Sequence, residues 1–192
     1  MSDPTPTEEA PSGRAPGEGR PAPRHRPFQV GGALIIDDGA LLLVKNRRRN
    51  GSHDWTPPGG VIELERDESI LDGLAREVLE ETGLRVLSWQ GPLYQVEATS
   101  ETMGFQMAVE VWLATEFEGE VTIGNDPDGI VVDAAWVPVL ECAPHLADGH
   151  LWVREPLGEW LVEQWAELRR YRYRVTGTGL SDAIAERVHD PD

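Results

Sequence analysis

Cysteine is nearly absent from this sequence: Cys142 is the one thiol in 192 residues. A lone thiol excludes an internal disulfide, fits a reducing compartment, and reads as a small core residue. Long apolar runs are missing too. None approaches the length that crosses a bilayer, and no hydrophobic leader stands at the N-terminus, so the expectation is a soluble, cytoplasmic protein with no membrane partner. Positive charge is scarce: 17 Lys and Arg face 34 Asp and Glu, a formal net charge of −17. A surface that acidic repels duplex nucleic acid, so no nucleic acid is expected as partner and the expected ligands are small anions carried by a metal. The acidity by itself reads first as plain solubility. The five histidines, His25, His53, His145, His150 and His189, show no ligand spacing.

What remains suffices for one full-sized domain, with seven Trp to fill its interior. Residues 1–27 are rich in Pro, Gly, Ser, Thr and Glu and carry almost no large apolar side chain, which predicts a disordered tail. A folded unit is expected over 28–175, followed by a Gly-rich and then faintly helical tail over 176–192 with no assigned role. The apolar runs Ala33 to Ile36 and Leu41 to Val44 flank Asp37-Asp38-Gly39, a hairpin signal. Leu87-Ser88-Trp89, Leu93 to Glu97, Met107 to Ala114 and Val131 to Val137 read as further strands. Pro156 is placed to open a helix whose Leu157, Leu161, Trp165 and Leu168 share a face. Helices on both faces of a mixed sheet make an α/β protein, a three-layer α/β/α sandwich.

The chemistry concentrates in Arg76 to Leu84, where Glu77, Glu80 and Glu81 fall within one turn of a helix. Like charges at that spacing repel, and a hard divalent cation such as Mg2+ is what carboxylate oxygens hold well. Leu71, Leu74, Ala75 and Val78 form an apolar stripe on the other side. Ser69 with Asp72 predicts the helix start and Gly83 its end. Just upstream, Pro57-Pro58-Gly59-Gly60 forces an irregular turn whose glycines allow a ligand close to the backbone.

Gly59, Gly60, Glu63, Glu68, Arg76, Glu77, Val78, Glu80, Glu81, Gly83 and Leu84 together resemble the Nudix box of the MutT-like hydrolases, with seven residues between Gly60 and Glu68 where the family has five, and Asp67 where a glycine usually stands. The two extra residues are assigned to the loop, which absorbs them more readily than a helix would. The resemblance implies a Nudix-type α/β/α sandwich and a pyrophosphohydrolase acting on a nucleoside diphosphate linked to another moiety. It implies Mg2+, with Mn2+ as the alternative ion, held by Glu77, Glu80, Glu81 and the carbonyl of Gly59. Glu77 or Glu80 is expected to orient or deprotonate the attacking water, with Arg76 beside them fixing a carboxylate, while Gly60 and Glu68 support the site. A homodimer is compatible with this reading. The marks of the ADP-ribose and dinucleoside polyphosphate subfamilies are absent around Ser100, Glu101 and Thr102.

Three further expectations concern substrate. Lys45 to Gly51 is the one dense basic run, so Arg47 and Arg49 are candidates for phosphate contact, although the run reads equally well as a solvated hairpin end. Trp55 and Phe105 are candidates to stack on a base, against the commoner role of aromatics in a core. Asp126 or Asp128 is a candidate further carboxylate, in a segment that is also good turn chemistry. Two alternatives stand beside the main reading: a nucleoside triphosphate pyrophosphohydrolase of the 8-oxo-dGTP type, and a non-catalytic ligand sensor.

Overall fold

A computed structural model describes residues 28–63, 69–124, 126–179 and 182–189. Strands β1 (Phe28–Asp37) and β2 (Ala40–Arg47) form the expected hairpin, closed by Asp38 and Gly39 in the left-handed region at φ 45° and 75°. β3 (His53–Thr56) and β4 (Gly59–Val61) are short, and α1 (Ile70–Thr82) follows. β5 (Arg85–Ser100) and β6 (Phe105–Glu118) make the longest pairing. The two short strands expected at 87–89 and 93–97 are therefore one strand, bent by register irregularities near Ser88 and between Gln90 and Tyr94.

β7 (Val131–Pro138) leads through a short 3-10 turn, Val139–Glu141, into α2 (Cys142–Leu146), α3 (Leu151–Glu163), β8 (Arg169–Thr176) and β9 (Ile184–Arg187). The sheet runs β3-β2-β1-β6-β5-β8-β9, with β4 also on β1 and β7 also on β2. It is mixed, since β1 with β6 and β5 with β8 are parallel and the other pairings antiparallel.

Alternation along the strands fills two separate cores. On β1, Ala33 and Ile35 point to a layer with Leu42, Ile62, Leu74, Val78 and Leu84 under α1. Leu34 and Ile36 point the other way, to the larger core with Cys142, Trp152, Leu157, Trp160, Tyr171 and Tyr173 under α2 and α3. The result is the expected three layers. Among the described residues no helix is long and apolar enough to cross a membrane.

Three local expectations are corrected. Pro156 does not open its helix but lies inside it, because Leu151 to Glu155 already form a turn anchored by buried Trp152, whose ring stacks on His150 at 4.2 Å. The same helix ends at Glu163 with Gln164 in the left-handed region, so Trp165 and Leu168 lie beyond it; the Trp165 indole donates to the carbonyl of Leu93 instead. The faintly helical segment near the C-terminus is strand β9, since the edge of β8 supplies its backbone partners from Tyr173↔Arg187 to Thr176↔Ile184.

Candidate active site

Helix α1 is defined at both ends by its own residues. The Ser69 hydroxyl accepts from the Asp72 amide at 3.1 Å and donates to the Asp72 carboxylate at 2.6 Å. At the other end Gly83, φ 75°, donates its N–H to the carbonyl of Leu79, and Thr82 bonds Val78 from within the last turn. Leu74 and Val78 are fully buried against the sheet, which fixes the rotation of the helix and turns Glu77 and Glu81 toward β4.

Two glycine pairs form the floor beneath it. Gly31 stands in register with Gly60 and Gly32 with Gly59. A Cβ on Gly59, at φ 143°, would collide with the carbonyl of Gly31, and a Cβ on Gly60 would lie 2.5 Å from Glu77 Oε2. Gly59 and Gly60 were expected from the sequence to allow close approach. Gly31 was missed, although the signal was a second Gly-Gly pair ahead of an apolar strand.

The carboxylates are held closely. Glu81 Oε2 accepts from the Gly59 amide at 2.8 Å. Burial raises Glu81 from its ordinary 4.5 to about 8; the Gly59 bond opposes that rise, and the charges of Glu77, Asp126 and Glu80 add to it. Glu77 is likewise raised, chiefly by burial, with Arg76 pulling it back and Glu80 and Asp128 pushing it up. Arg76 Nη1 bridges Glu77 Oε1 at 2.8 Å and Glu80 Oε2 at 3.0 Å, so it serves two of the three glutamates. Arg76 occupies oxygens of Glu77 and Glu80 and the Gly59 amide occupies one of Glu81, and no ready-made cage of three ligands exists among the described residues. The donor chemistry still suits a hard cation: three carboxylates share one helix face, and burial disfavours the charge of two of them.

The loop at 126–129 also reaches this place, as the charges of Asp126 on Glu81 and Asp128 on Glu77 show. Asp126 spends both oxygens on the amides of Asp128, Ile130 and Val131, which is turn chemistry, while Asp128 is exposed. Arg47 docks on the same loop, its Nη2 donating to the carbonyl of Gly129 at 3.2 Å. Arg48 is committed to Asp54 through two bonds, and Arg49 is exposed.

Trp55 is not brought to the carboxylates: it packs against the larger core, edge-on to His145 of α2 at 5.7 Å with Lys45 above it. Phe105 packs on that core as well. Glu68 lies outside the described residues.

The comparisons agree with this geometry. A family model described as NUDIX domain matches residues 25–161. The chain is 46% identical over 71 residues to a MutT-like protein of Streptomyces ambofaciens, a match covering 37% of this chain and 42% of that one. It is 42% identical over 65 residues to the m7GpppN-mRNA hydrolase NUDT17 of Danio rerio, covering 32% and 21%. The chain thus spans less than half the length of these curated relatives. Among solved structures it is similar to a MutT NUDIX hydrolase from Burkholderia pseudomallei, with TM-score 0.53 and 26% identity over 61% of this chain and 87% of that one. A MutT protein from Bacillus halodurans, with TM-score 0.59 and 24% identity over 83% and 97%, shares the fold.

Proposed function

The chain belongs to the NUDIX family, and from that premise we propose that it is a hydrolase cutting the diphosphate linkage of a nucleoside diphosphate joined to another moiety, with Mg2+, or Mn2+ in its place, as cofactor. The observation that carries this reading is the α1 carboxylate set: two of its members have their charge disfavoured by burial, and Arg76 offsets only part of the repulsion.

Glu77, Glu80 and Glu81, with the carbonyl of Gly59, are the groups that would hold the ion. Bound there, it would neutralise phosphate oxygens and make a water more acidic. Glu77 or Glu80 would orient that water or take its proton, and Arg76 would position both through its two bonds. The Gly59 amide keeps Glu81 turned to the floor. Arg47, docked on the 126–129 loop, and exposed Arg49 are proposed to meet substrate phosphates, and Asp128 has an exposed carboxylate on the same rim. Water would add to one bridging phosphorus and the bridge oxygen would leave with the other half, giving a nucleoside monophosphate and a phosphorylated second product.

Likeness to a MutT-like protein favours a second reading, a nucleoside triphosphate cut to monophosphate and pyrophosphate. The test is to incubate the full chain and Mg2+ with nucleoside diphosphate sugars, dinucleoside polyphosphates, 8-oxo-dGTP and an m7GpppN cap, the last chosen from the name of the Danio rerio relative. Cleavage inside the diphosphate bridge of the linked substrates is the expected result. Preferential release of pyrophosphate from 8-oxo-dGTP would move the assignment to the second reading, and no cleavage of any member would turn it to a ligand sensor.

A further inference from the structure

The row of residues beneath α1 continues past the helix. Gly60 is in register with Gly31, Gly31 with Glu110, Glu110 with Gln95 and Gln95 with Arg170, so five neighbouring strands present these residues on one face. Leu74 stands over Gly31, which puts the helix between the carboxylates and the outer end of the row. At about 4.8 Å per strand, Arg170 lies roughly 19 Å from Gly60.

Beyond the helix the side chains of the row are bonded in sequence. The Trp112 indole donates to Glu110 Oε2 at 3.3 Å, Gln95 Nε2 donates to Glu110 Oε1 at 3.0 Å, and Arg170 Nε donates to Gln95 Oε1 at 3.2 Å. The last bond holds the guanidinium by its Nε and leaves its terminal Nη groups for another partner. Arg172 and Arg174 follow at two-residue steps on the same exposed face of β8. Their cross-strand neighbours are carboxylates, Glu97 opposite Arg172 and Glu186 opposite Arg174, whereas Arg170 faces neutral Gln95. A cavity of about 460 Å³ opens here, lined by Gln95, Glu97, Arg170, Arg172 and His189.

We propose that this cavity is a second ligand site, separate from the carboxylate helix, that takes a small phosphate monoester such as a nucleoside monophosphate. The volume is that of a small-molecule pocket. A guanidinium fork already oriented by Gln95 suits phosphate oxygens, and the lining sets Arg170, Arg172 and Arg187 against the single carboxylate Glu97 in a chain whose net charge is −17. That net charge repels a long polyanion, so the occupant is small. Glu97, on the same wall, accepts from a hydroxyl or amino group of the organic part, which distinguishes a monoester from free phosphate.

The experiment titrates the full chain with AMP and, separately, with inorganic phosphate, without added metal, following the Gln95 side-chain amide and the Trp112 indole N–H by NMR. AMP should shift both resonances saturably at concentrations up to about 10 mM, and Arg170→Gln should weaken that binding roughly tenfold or more. Gln95→Glu, which sets a carboxylate beside the same guanidinium, should weaken it as well. Glu77→Gln should leave AMP binding at these resonances unchanged, which keeps this site distinct from the hydrolytic one. Absence of saturable shifts, equal affinity in Arg170→Gln, or inorganic phosphate binding as tightly as AMP would overturn the proposal.

Discussion

Two helices in this protein each carry glutamates about a turn apart, and they treat them in opposite ways. On α3, Glu155 accepts from the Tyr173 hydroxyl at 2.5 Å and Glu159 from the Tyr171 hydroxyl at 2.7 Å, while Arg187 Nη1 stands 3.5 Å from the first and 2.7 Å from the second. Every charge there has a donor, and Arg187 also lies over the Tyr171 ring at 4.7 Å. On α1, three glutamates crowd together, Arg76 bridges two, and the third is buried with a single backbone amide. Matched carboxylates stabilise the fold they sit in, whereas crowded carboxylates raise the energy of the free protein and gain when a cation arrives.

The sharpest break of this comparison is Glu81→Gln. Turnover should fall about 10²- to 10⁴-fold, as expected when a group of the catalytic constellation is lost, measured as kcat on whichever substrate the panel identifies. Stability should move the other way. In the metal-free protein Glu81 titrates near 8 instead of 4.5, so the folded state holds a proton that the unfolded chain has already released. The stability this contributes is complete below pH 4.5 and lost as pH rises through about 8. Glutamine has no such slope. Urea unfolding across that window should show the wild type declining toward pH 8 and the variant staying flatter, and identical slopes would remove Glu81 from the buried set.

Next in size is the response to Mg2+. An ion that binds only the folded site adds about 2.7 kcal/mol at a hundred times its Kd, which in a domain of this size raises Tm by roughly 5 °C or more. Calorimetry should show that rise in the wild type and a smaller one in Glu81→Gln. A melting curve indifferent to the ion would erase the contrast between the two helices.

The smallest effect belongs to the matched side. Tyr173→Phe removes one donor from Glu155 and should cost about 1–2 kcal/mol, read by denaturant unfolding, with kcat unchanged. A large loss of turnover here would mean that the α3 network reaches the chemistry after all.

The parts of this arrangement legible in the sequence are those set by near neighbours. Ser69, Asp72 and Gly83 fix the ends of α1 through bonds within four residues, and Asp38-Gly39 closes a hairpin by its own backbone preference. The glutamate cluster follows from the helical repeat alone. What escaped was set at a distance. Trp55 faces α2 because β3 pairs with β2 in a register that sequence does not state. Pro156 is carried inside α3 by the packing of Trp152, and β9 exists because β8 has an edge to offer. The bridging of Glu77 and Glu80 by Arg76 was half legible: a carboxylate partner was expected for that arginine, and its own neighbours along the helix accept two of its bonds.

The paired glycines under α1 also constrain how this protein can diversify. Any side chain grown on Gly59 or Gly60 meets a main-chain oxygen or Glu77, and one on Gly31 meets Leu74 at 3.1 Å. Evolution therefore has almost no freedom at the floor. Change is cheaper at the margin, at Arg47, Arg49 and Asp128, where the side chains are exposed.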